Sequence, residues 1–158
     1  MAKVLVLYYS RSGNTARMAE LVAEGAKESG ADVSLKAVGD VSAADLPNYD
    51  AIIIGTPTYY GQMCWEIKKL FDESVKFHHK LEGKVGGAFT SSANIGGGNE
   101  TAILSILHSM LIHGMLIEGS SVGDHYGPVS IGAPDARVQK QCRALGERIA
   151  RLAMKVFC

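Results

Sequence analysis

Two short segments of this chain are apolar without interruption. Val4–Tyr9 ("VLVLYY") and Ala51–Gly55 ("AIIIG") contain only aliphatic, aromatic or small residues before the chain turns polar. Runs of this length are typical of central strands that are covered on both faces of a sheet. The sequence therefore predicts a sheet with helices on both sides, which limits the chain to the α/β class.

Segments with helical spacing follow these strands. From Thr15 onward, apolar residues recur every three or four positions, and Gly30 is a typical helix end. The same spacing predicts helices over Gln62–Lys80, Asn99–His113 and from Val138 to the C-terminus. Further strands are predicted at Ala31–Ala37, Lys84–Thr90 and Met115–Ser120.

The order of these elements predicts the topology. Five predicted strands alternate with four predicted helices, which favours a three-layer α/β domain with a parallel sheet and right-handed crossovers. No internal repeat, low-complexity tract or linker interrupts this pattern. We therefore expect residues 1–158 to form a single domain.

Charge and cysteine content exclude several classes of function. Lys and Arg together number 16, as do Asp and Glu, so a net charge of zero gives no basis for a nucleic-acid or membrane partner. No apolar run approaches the roughly 18 residues that a membrane span needs. The three cysteines lie far apart, without a metal-binding spacing, so no metal site is expected. These features predict a soluble, cytoplasmic protein.

The loop that follows the first predicted strand is rich in hydrogen-bond donors. It contains no acidic residue and consists of Ser10, Arg11, Ser12, Gly13, Asn14 and Thr15. The first amides of a helix lack intrahelical partners, and with the helix dipole they attract an anion. We therefore expect a phosphate-binding loop, since ordinary N-capping explains one such residue but not the whole group. Because GxxxxGK[ST] and GxGxxG are both absent, a nucleoside triphosphatase and a Rossmann dinucleotide site are not expected.

Two further loops follow the next two central strands, at the edge of the sheet where ligands bind in such folds. The first presents two aromatic rings and consists of Pro57, Thr58, Tyr59, Tyr60 and Gly61. A planar ligand can pack on these rings; alternatively, they cover the sheet edge. The second is rich in donors and glycine and consists of Ser91, Ser92, Ala93, Asn94, Ile95, Gly96 and Gly97. Glycine lets a backbone approach a planar ligand closely, and a flexible connector is the alternative. Together the three loops predict a ligand with one phosphate and a planar heteroaromatic head, a description that FMN fits.

Three long segments resemble the flavodoxin-like proteins and, within them, the WrbA-type FMN-dependent NAD(P)H:quinone oxidoreductases. They are "KVLVLYYSRSGNT", "YDAIIIGTPTYYGQM" and "GKVGGAFTSSANIGGGNETAILSILHSMLIHGM". The resemblance implies a five-stranded parallel sheet of order 2-1-3-4-5, non-covalent FMN, NAD(P)H as co-substrate and a quinone as acceptor. It places the FMN phosphate at Ser10–Thr15, the ring beside Thr58–Tyr60, and the polar ring edge at Ser91–Gly97. It also places His113 at the flavin as a candidate catalytic residue, and it implies a homo-oligomer, either dimer or tetramer.

Two departures from the WrbA type keep other functions open. The chain is short, because it lacks an insert near residues 40–50 and part of the stretch before its last helix. The tryptophan of the family's quinone pocket has no counterpart, and Phe77 or His78 lies nearest. A flavodoxin-type electron carrier without its own substrate is therefore the alternative, and a flavin-binding scaffold is a third. Such carriers are typically strongly acidic, so the net charge of zero favours the enzyme.

Overall fold

The computed structural model describes residues 1–158 and contains six strands and four α-helices. The strands are β1 (Lys3–Tyr8), β2 (Asp32–Ala37), β3 (Ala51–Pro57), β4 (Val85–Ser92), β5 (Leu116–Ile117) and β6 (Val129–Ile131). The α-helices are α1 (Asn14–Glu28), α2 (Trp65–Glu73), α3 (Asn99–Ile112) and α4 (Ala136–Phe157). Short 3-10 helices occupy Val38–Asp40, Ala43–Asn48 and Ser74–Phe77.

All strand pairs in the sheet are parallel, and the order β2-β1-β3-β4-β5 confirms the predicted α/β topology. Tyr8 of β1 lies opposite Gly55 of β3, and Pro57 lies opposite Ser91 of β4. The three central strands therefore end close together. As a consequence, the three predicted loops emerge from the same edge of the sheet.

The outer edge of the sheet differs from the prediction. The predicted strand Met115–Ser120 shrinks to β5, which pairs only with the start of β4. The strand β6 was not predicted, and it pairs with Thr90–Ser92 at the other end of β4. Since β3 occupies the opposite side of β4, β5 and β6 lie along one side, separated by residues 118–128. The apolar pattern stops at Glu118 and Gly119, where the chain leaves the sheet.

Two hydrophobic cores cover the two faces of the sheet. Val4 and Val6 point into the core shared with α1 and α4, whereas Leu5 and Leu7 point into the core shared with α2 and α3. This alternation follows the two-residue period of a strand. It explains why β1 is apolar at every position from Val4 to Tyr8, as expected for a strand covered on both faces.

The helices α1 and α4 pack with their backbones in contact. A Cβ atom at Gly146 would lie 1.9 Å from the Val22 carbonyl oxygen, and one at Gly25 would lie 2.0 Å from the Arg143 carbonyl oxygen. No side chain larger than hydrogen fits at either position without moving a helix. This contact fixes the position of α1, and with it the loop that precedes α1.

The predicted helix over Gln62–Lys80 is wrong at both ends. The α-helix begins at Trp65 and ends at Glu73, where a 3-10 turn takes over. Because a 3-10 helix has three residues per turn, the buried stripe does not continue, and Val75 and His78 are exposed rather than in the core. No helix of the chain has both the length and the apolar character that crossing a bilayer requires.

Candidate functional site

The loop after β1 joins a strand directly to a helix. Gly13 is the N-cap of α1 and has a φ of 95°, a conformation that favours glycine over any residue with a side chain. Its amide donates to the Ser10 hydroxyl over 3.1 Å. The first turn of α1 contains no acidic residue, so nothing in the loop competes with an incoming anion.

Six backbone amides around Gly13 donate to no acceptor in the protein. They belong to Ser10, Arg11, Ser12, Asn14, Thr15 and Ala16. Helix N-termini carry a partial positive charge, and converging free amides hydrogen-bond strongly to anionic oxygens. The arrangement has the chemistry of a phosphate site and supports the predicted role of Ser10–Thr15.

Buried hydroxyls connect the three loops beneath the site. The Thr15 Oγ1 atom of the first loop lies 2.8 Å from the Ser91 Oγ atom of the third. The Thr90 hydroxyl donates to the Thr56 carbonyl over 2.6 Å, so the Thr58 hydroxyl, 2.9 Å away, donates to Thr90. Thr56, Thr90 and the Thr15–Ser91 contact were not predicted. Their signal in the sequence is a hydroxyl residue at the end of an otherwise apolar strand.

The second loop holds an aromatic residue in a strained conformation. Tyr59 and Gln62 exchange two backbone hydrogen bonds of 3.1 Å, which closes a tight turn over Tyr60 and Gly61. Tyr60 has a φ of 50° and is fully exposed. A non-glycine residue in this region costs roughly 1 kcal/mol, and such strain concentrates at functional sites. Because Tyr60 covers no sheet edge, the ligand-packing interpretation of this loop is favoured.

The third loop is ordered by its own hydrogen bonds. The Gly97 amide donates to the Asn94 carbonyl over 3.2 Å, and the Asn99 side-chain amide donates to the Ser92 hydroxyl, also over 3.2 Å. These bonds argue against a flexible connector. The remaining amides, from Ala93 to Gly96 and at Gly98, have no acceptor in the protein. They are available to the oxygens and nitrogens of a ring edge.

The second and third loops touch. A Cβ atom at Gly98 would lie 2.6 Å from the Gly61 Cα atom. Gly98 has a φ of 86°, so both its conformation and its surroundings require glycine. The structure thus brings all three predicted loops together at one edge, as the sequence predicted.

This edge contains no paired nucleophile and base. Burial is the main cause that raises the pKa of the Cys64 thiol, which keeps it protonated and unreactive. The Glu66 carboxylate is the main cause that raises the pKa of the Tyr9 hydroxyl. Neither group is activated for covalent or acid–base catalysis. Any redox chemistry at this edge must therefore come from a bound group.

His113 does not belong to this edge of the chain. The 14 residues of α3 begin beside the third loop and carry the chain about 21 Å away from it. His113 follows the end of α3, and its Nε2 atom lies 2.7 Å from the Ser74 hydroxyl. The next residue, Gly114, accepts a hydrogen bond from the Gly83 amide, which places this part of the chain near the start of β4. Within one chain, the predicted catalytic candidate therefore lies apart from the other predicted site residues. The sequence pattern predicted the helix α3 correctly, but the length of α3 separates His113 from the three loops.

The chain matches the family model described as Flavodoxin over residues 6–103. It is 42% identical to a flavodoxin of Aquifex aeolicus, with 95% of this chain and 86% of the relative covered. It is 34% identical to an NAD(P)H dehydrogenase (quinone) of Archaeoglobus fulgidus, with 99% of this chain and 100% of the relative covered. That alignment runs over 190 positions against 158 residues here, so the relative contains insertions that this chain lacks.

A solved structure shares the fold over almost the whole chain. The flavodoxin, WrbA-like protein from Agrobacterium tumefaciens superposes with a TM-score of 0.84 at 34% sequence identity. The superposition covers 99% of each chain. The match therefore includes all three loops at the carboxyl edge of the sheet.

Proposed function

This chain belongs to the flavodoxin family, and from that premise we propose that it binds FMN and transfers two electrons from NAD(P)H to a quinone. The observation that carries the cofactor assignment is the set of six free amides around Gly13, in a loop without any acid. The enzyme assignment is supported by the full-length similarity to an NAD(P)H dehydrogenase (quinone) and by the net charge of zero.

The residues at this edge fit the parts of FMN. The free amides and dipole of α1 match a dianionic phosphate. Tyr59 and Tyr60 supply exposed apolar surface for a flat ring. The free amides from Ala93 to Gly96 match the acceptors at the polar edge of that ring.

When bound, FMN supplies the redox chemistry, taking electrons from a reduced nicotinamide and releasing them to a quinone. The amides of the third loop hold the polar ring edge and stabilise negative charge there, as donors do in an oxyanion site. The hydrogen bond between the Thr15 and Ser91 hydroxyls holds the phosphate loop and this third loop in a fixed position relative to each other. The protein's contribution is therefore to orient the ring and to set the electrostatics around it.

An electron carrier is the second candidate function, and the 42% identity to a flavodoxin favours it. The deciding experiment is a steady-state assay of the FMN-loaded protein with NADH or NADPH and a benzoquinone. Sustained turnover supports the enzyme. Protein that holds FMN but oxidises neither nucleotide contradicts the enzyme and supports the carrier.

A charge variant links the loop to turnover. Ser12→Asp puts a carboxylate among the donors of the phosphate loop, so FMN content and turnover should fall together. Ala44→Asp adds the same charge at another exposed position and serves as the matched control. Unchanged FMN content in Ser12→Asp would exclude this loop as the phosphate site.

We also propose that the protein is a homo-oligomer, a dimer or a tetramer. Large apolar side chains are exposed around the end of α3, with Ile112 76% and Val75 68% accessible. Apolar groups clustered at one surface are typical of protein interfaces. Light scattering coupled to size exclusion measures the mass directly, and a mass of one chain contradicts this proposal.

We propose the cytoplasm as the location of the protein. Its three cysteines are all unpaired, and thiols persist in reducing compartments. Cell fractionation tests the location, and recovery from an oxidising compartment contradicts it.

A further inference from the structure

A second cleft adjoins the candidate cofactor site. It has a volume of about 520 Å³ and lies between the start of α3 and residues 124–131. It shares Ile95 and Gly96 with the third loop, and Gly98 directly follows that loop, but it contains no residue of the first or second loop. The cleft therefore lies apart from the expected phosphate position and adjoins the third loop, which is expected to hold the polar ring edge.

The outer wall of this cleft is rigid. The Asp124 carboxylate accepts from the Val129 amide and from the Arg137 guanidinium, each over 2.9 Å. The Asp124 amide donates to the Gln141 side chain over 2.9 Å, which ties the wall to α4. Gly127 presses against β4, since a Cβ atom there would lie 2.0 Å from the Ala88 carbonyl oxygen. The cleft is thus preformed.

Apolar side chains from three different segments stand at this cleft. Ile95 is 90% exposed, Tyr126 is 48% exposed and Ile131 is 42% exposed. A single exposed apolar residue is ordinary, but a group around one concave surface marks a binding site. An aromatic ring and two aliphatic side chains around one cleft suit a flat heterocycle.

The charged side chains of the cleft indicate which group is attached to that heterocycle. Arg137 is neutralised by Asp124, whereas the Glu100 carboxylate forms no ion pair and accepts no hydrogen bond. A free carboxylate accepts hydrogen bonds from vicinal hydroxyls and repels a phosphate. The amides of Asn99 and Thr101, in the first turn of α3, have no acceptor in the protein and are available to the diphosphate of a dinucleotide rather than to its ribose. The cleft therefore suits a nucleoside whose ribose hydroxyls are unmodified.

We propose that this cleft binds the adenosine end of NADH and that Glu100 selects NADH against NADPH. The proposal rests on the proposed function, because it assigns the nucleotide substrate of the same enzyme. Tyr126 and Ile95 contact the adenine, and Glu100 receives the ribose hydroxyls. The dinucleotide then extends over the third loop toward the ring edge. The extra phosphate of NADPH meets the Glu100 carboxylate and is disfavoured.

Binding measurements on the FMN-loaded protein test this without requiring turnover. The probes are ADP-ribose and its 2′-phosphate derivative, titrated by isothermal calorimetry. Two unit charges a few ångströms apart near a surface account for a preference of about tenfold for ADP-ribose. Glu100→Gln should bring the two affinities within about a factor of two. Glu82→Gln, the same change on an exposed residue near the opposite edge, should keep the preference.

Tyr126→Ala tests the adenine contact. It should weaken both probes by about tenfold, because a stacked aromatic contact is lost, while the FMN-to-protein ratio stays that of the wild type. If the wild type turns over NADH, the same variant should raise KM for NADH but not for the quinone.

Three results overturn the proposal. They are wild-type protein that binds neither probe, a preference that Glu100→Gln leaves unchanged, and a Tyr126→Ala variant that alters only the quinone KM. Failure of the proposed function gives a different pattern, namely probe binding as described without any oxidation of NADH by quinone.

Discussion

Thr15→Val should uncouple the phosphate loop from the third loop. The Thr15 and Ser91 hydroxyls lie 2.8 Å apart, and the two residues are only 2% and 7% exposed. Neither hydroxyl has another partner. Valine has nearly the shape of threonine, so the substitution opens no cavity. It leaves the Ser91 hydroxyl buried without a hydrogen bond.

The expected cost follows from that unpaired group. Leaving a buried neutral donor or acceptor unsatisfied costs about 1–3 kcal/mol, and the extra methyl of valine offsets part of this, so we expect about 1–2 kcal/mol for Thr15→Val. Ser91→Ala should cost a similar amount, because it leaves the Thr15 hydroxyl buried without a hydrogen-bond partner. Replacing both partners by apolar groups is nearly neutral. The double variant should therefore be more stable than the sum of the single effects predicts, by about 1 kcal/mol or more.

Urea unfolding of the flavin-free protein and its three variants gives this coupling energy. Thr101→Val is the control, since it removes an exposed hydroxyl bonded within its own helix turn and should change stability by less than about 0.5 kcal/mol. If the two single effects add within about 0.3 kcal/mol, the hydroxyl pair does not join the loops and the reasoning fails.

Three further predictions follow from the packing and the titratable groups. Gly146→Ala should destabilise the protein by about 3 kcal/mol or more, since its Cβ meets a backbone oxygen at 1.9 Å, whereas Gly39→Ala, with nothing within 4 Å, should change stability little; urea unfolding compares them. Burial and, to a smaller extent, His78 lower the pKa of His113 in the folded protein below its unfolded value of about 6.5. The neutral His113 therefore contributes to folding stability above about pH 6.5, and this contribution is lost as the pH falls through the pKa of the folded state. His113→Gln, which keeps a donor toward Ser74, should flatten this acid loss in unfolding measured between about pH 5 and 7.5. Burial raises the pKa of Cys142 to about 12, so a thiol reagent should modify the exposed Cys158 in the native protein and Cys142 only after unfolding; modification of both at equal rates, seen by mass spectrometry, contradicts the packing.

The sequence was sufficient for most of the fold because period and composition agreed over long segments. The strands β1 and β3 are continuously apolar over Val4–Tyr8 and Ala51–Gly55, and α3 and α4 keep a helical spacing for 14 and 22 residues. Local pattern failed where an element is short. β5 has two residues and β6 has three, too few to show a period.

The candidate site was predictable only in part. Parallel strands end at a common edge, so the clustering of the three loops followed from their places in the chain. The Thr15–Ser91 hydrogen bond joins residues 76 positions apart and depends on tertiary packing. The same is true of the cleft beside Tyr126, whose wall is held by Asp124 and Arg137. For His113, the helix was predicted correctly, but only its length shows that the residue lies about 21 Å from the third loop of the same chain.

Comparing FMN with riboflavin tests the central claim most directly, because riboflavin has the same ring and lacks the phosphate. Fluorescence titration of the flavin-free protein measures both affinities. With several charge-assisted hydrogen bonds from the amides around Gly13, FMN should bind one per chain and at least about 100-fold more tightly than riboflavin. Equal affinities, or no binding of FMN, would contradict a phosphate-binding role for this loop.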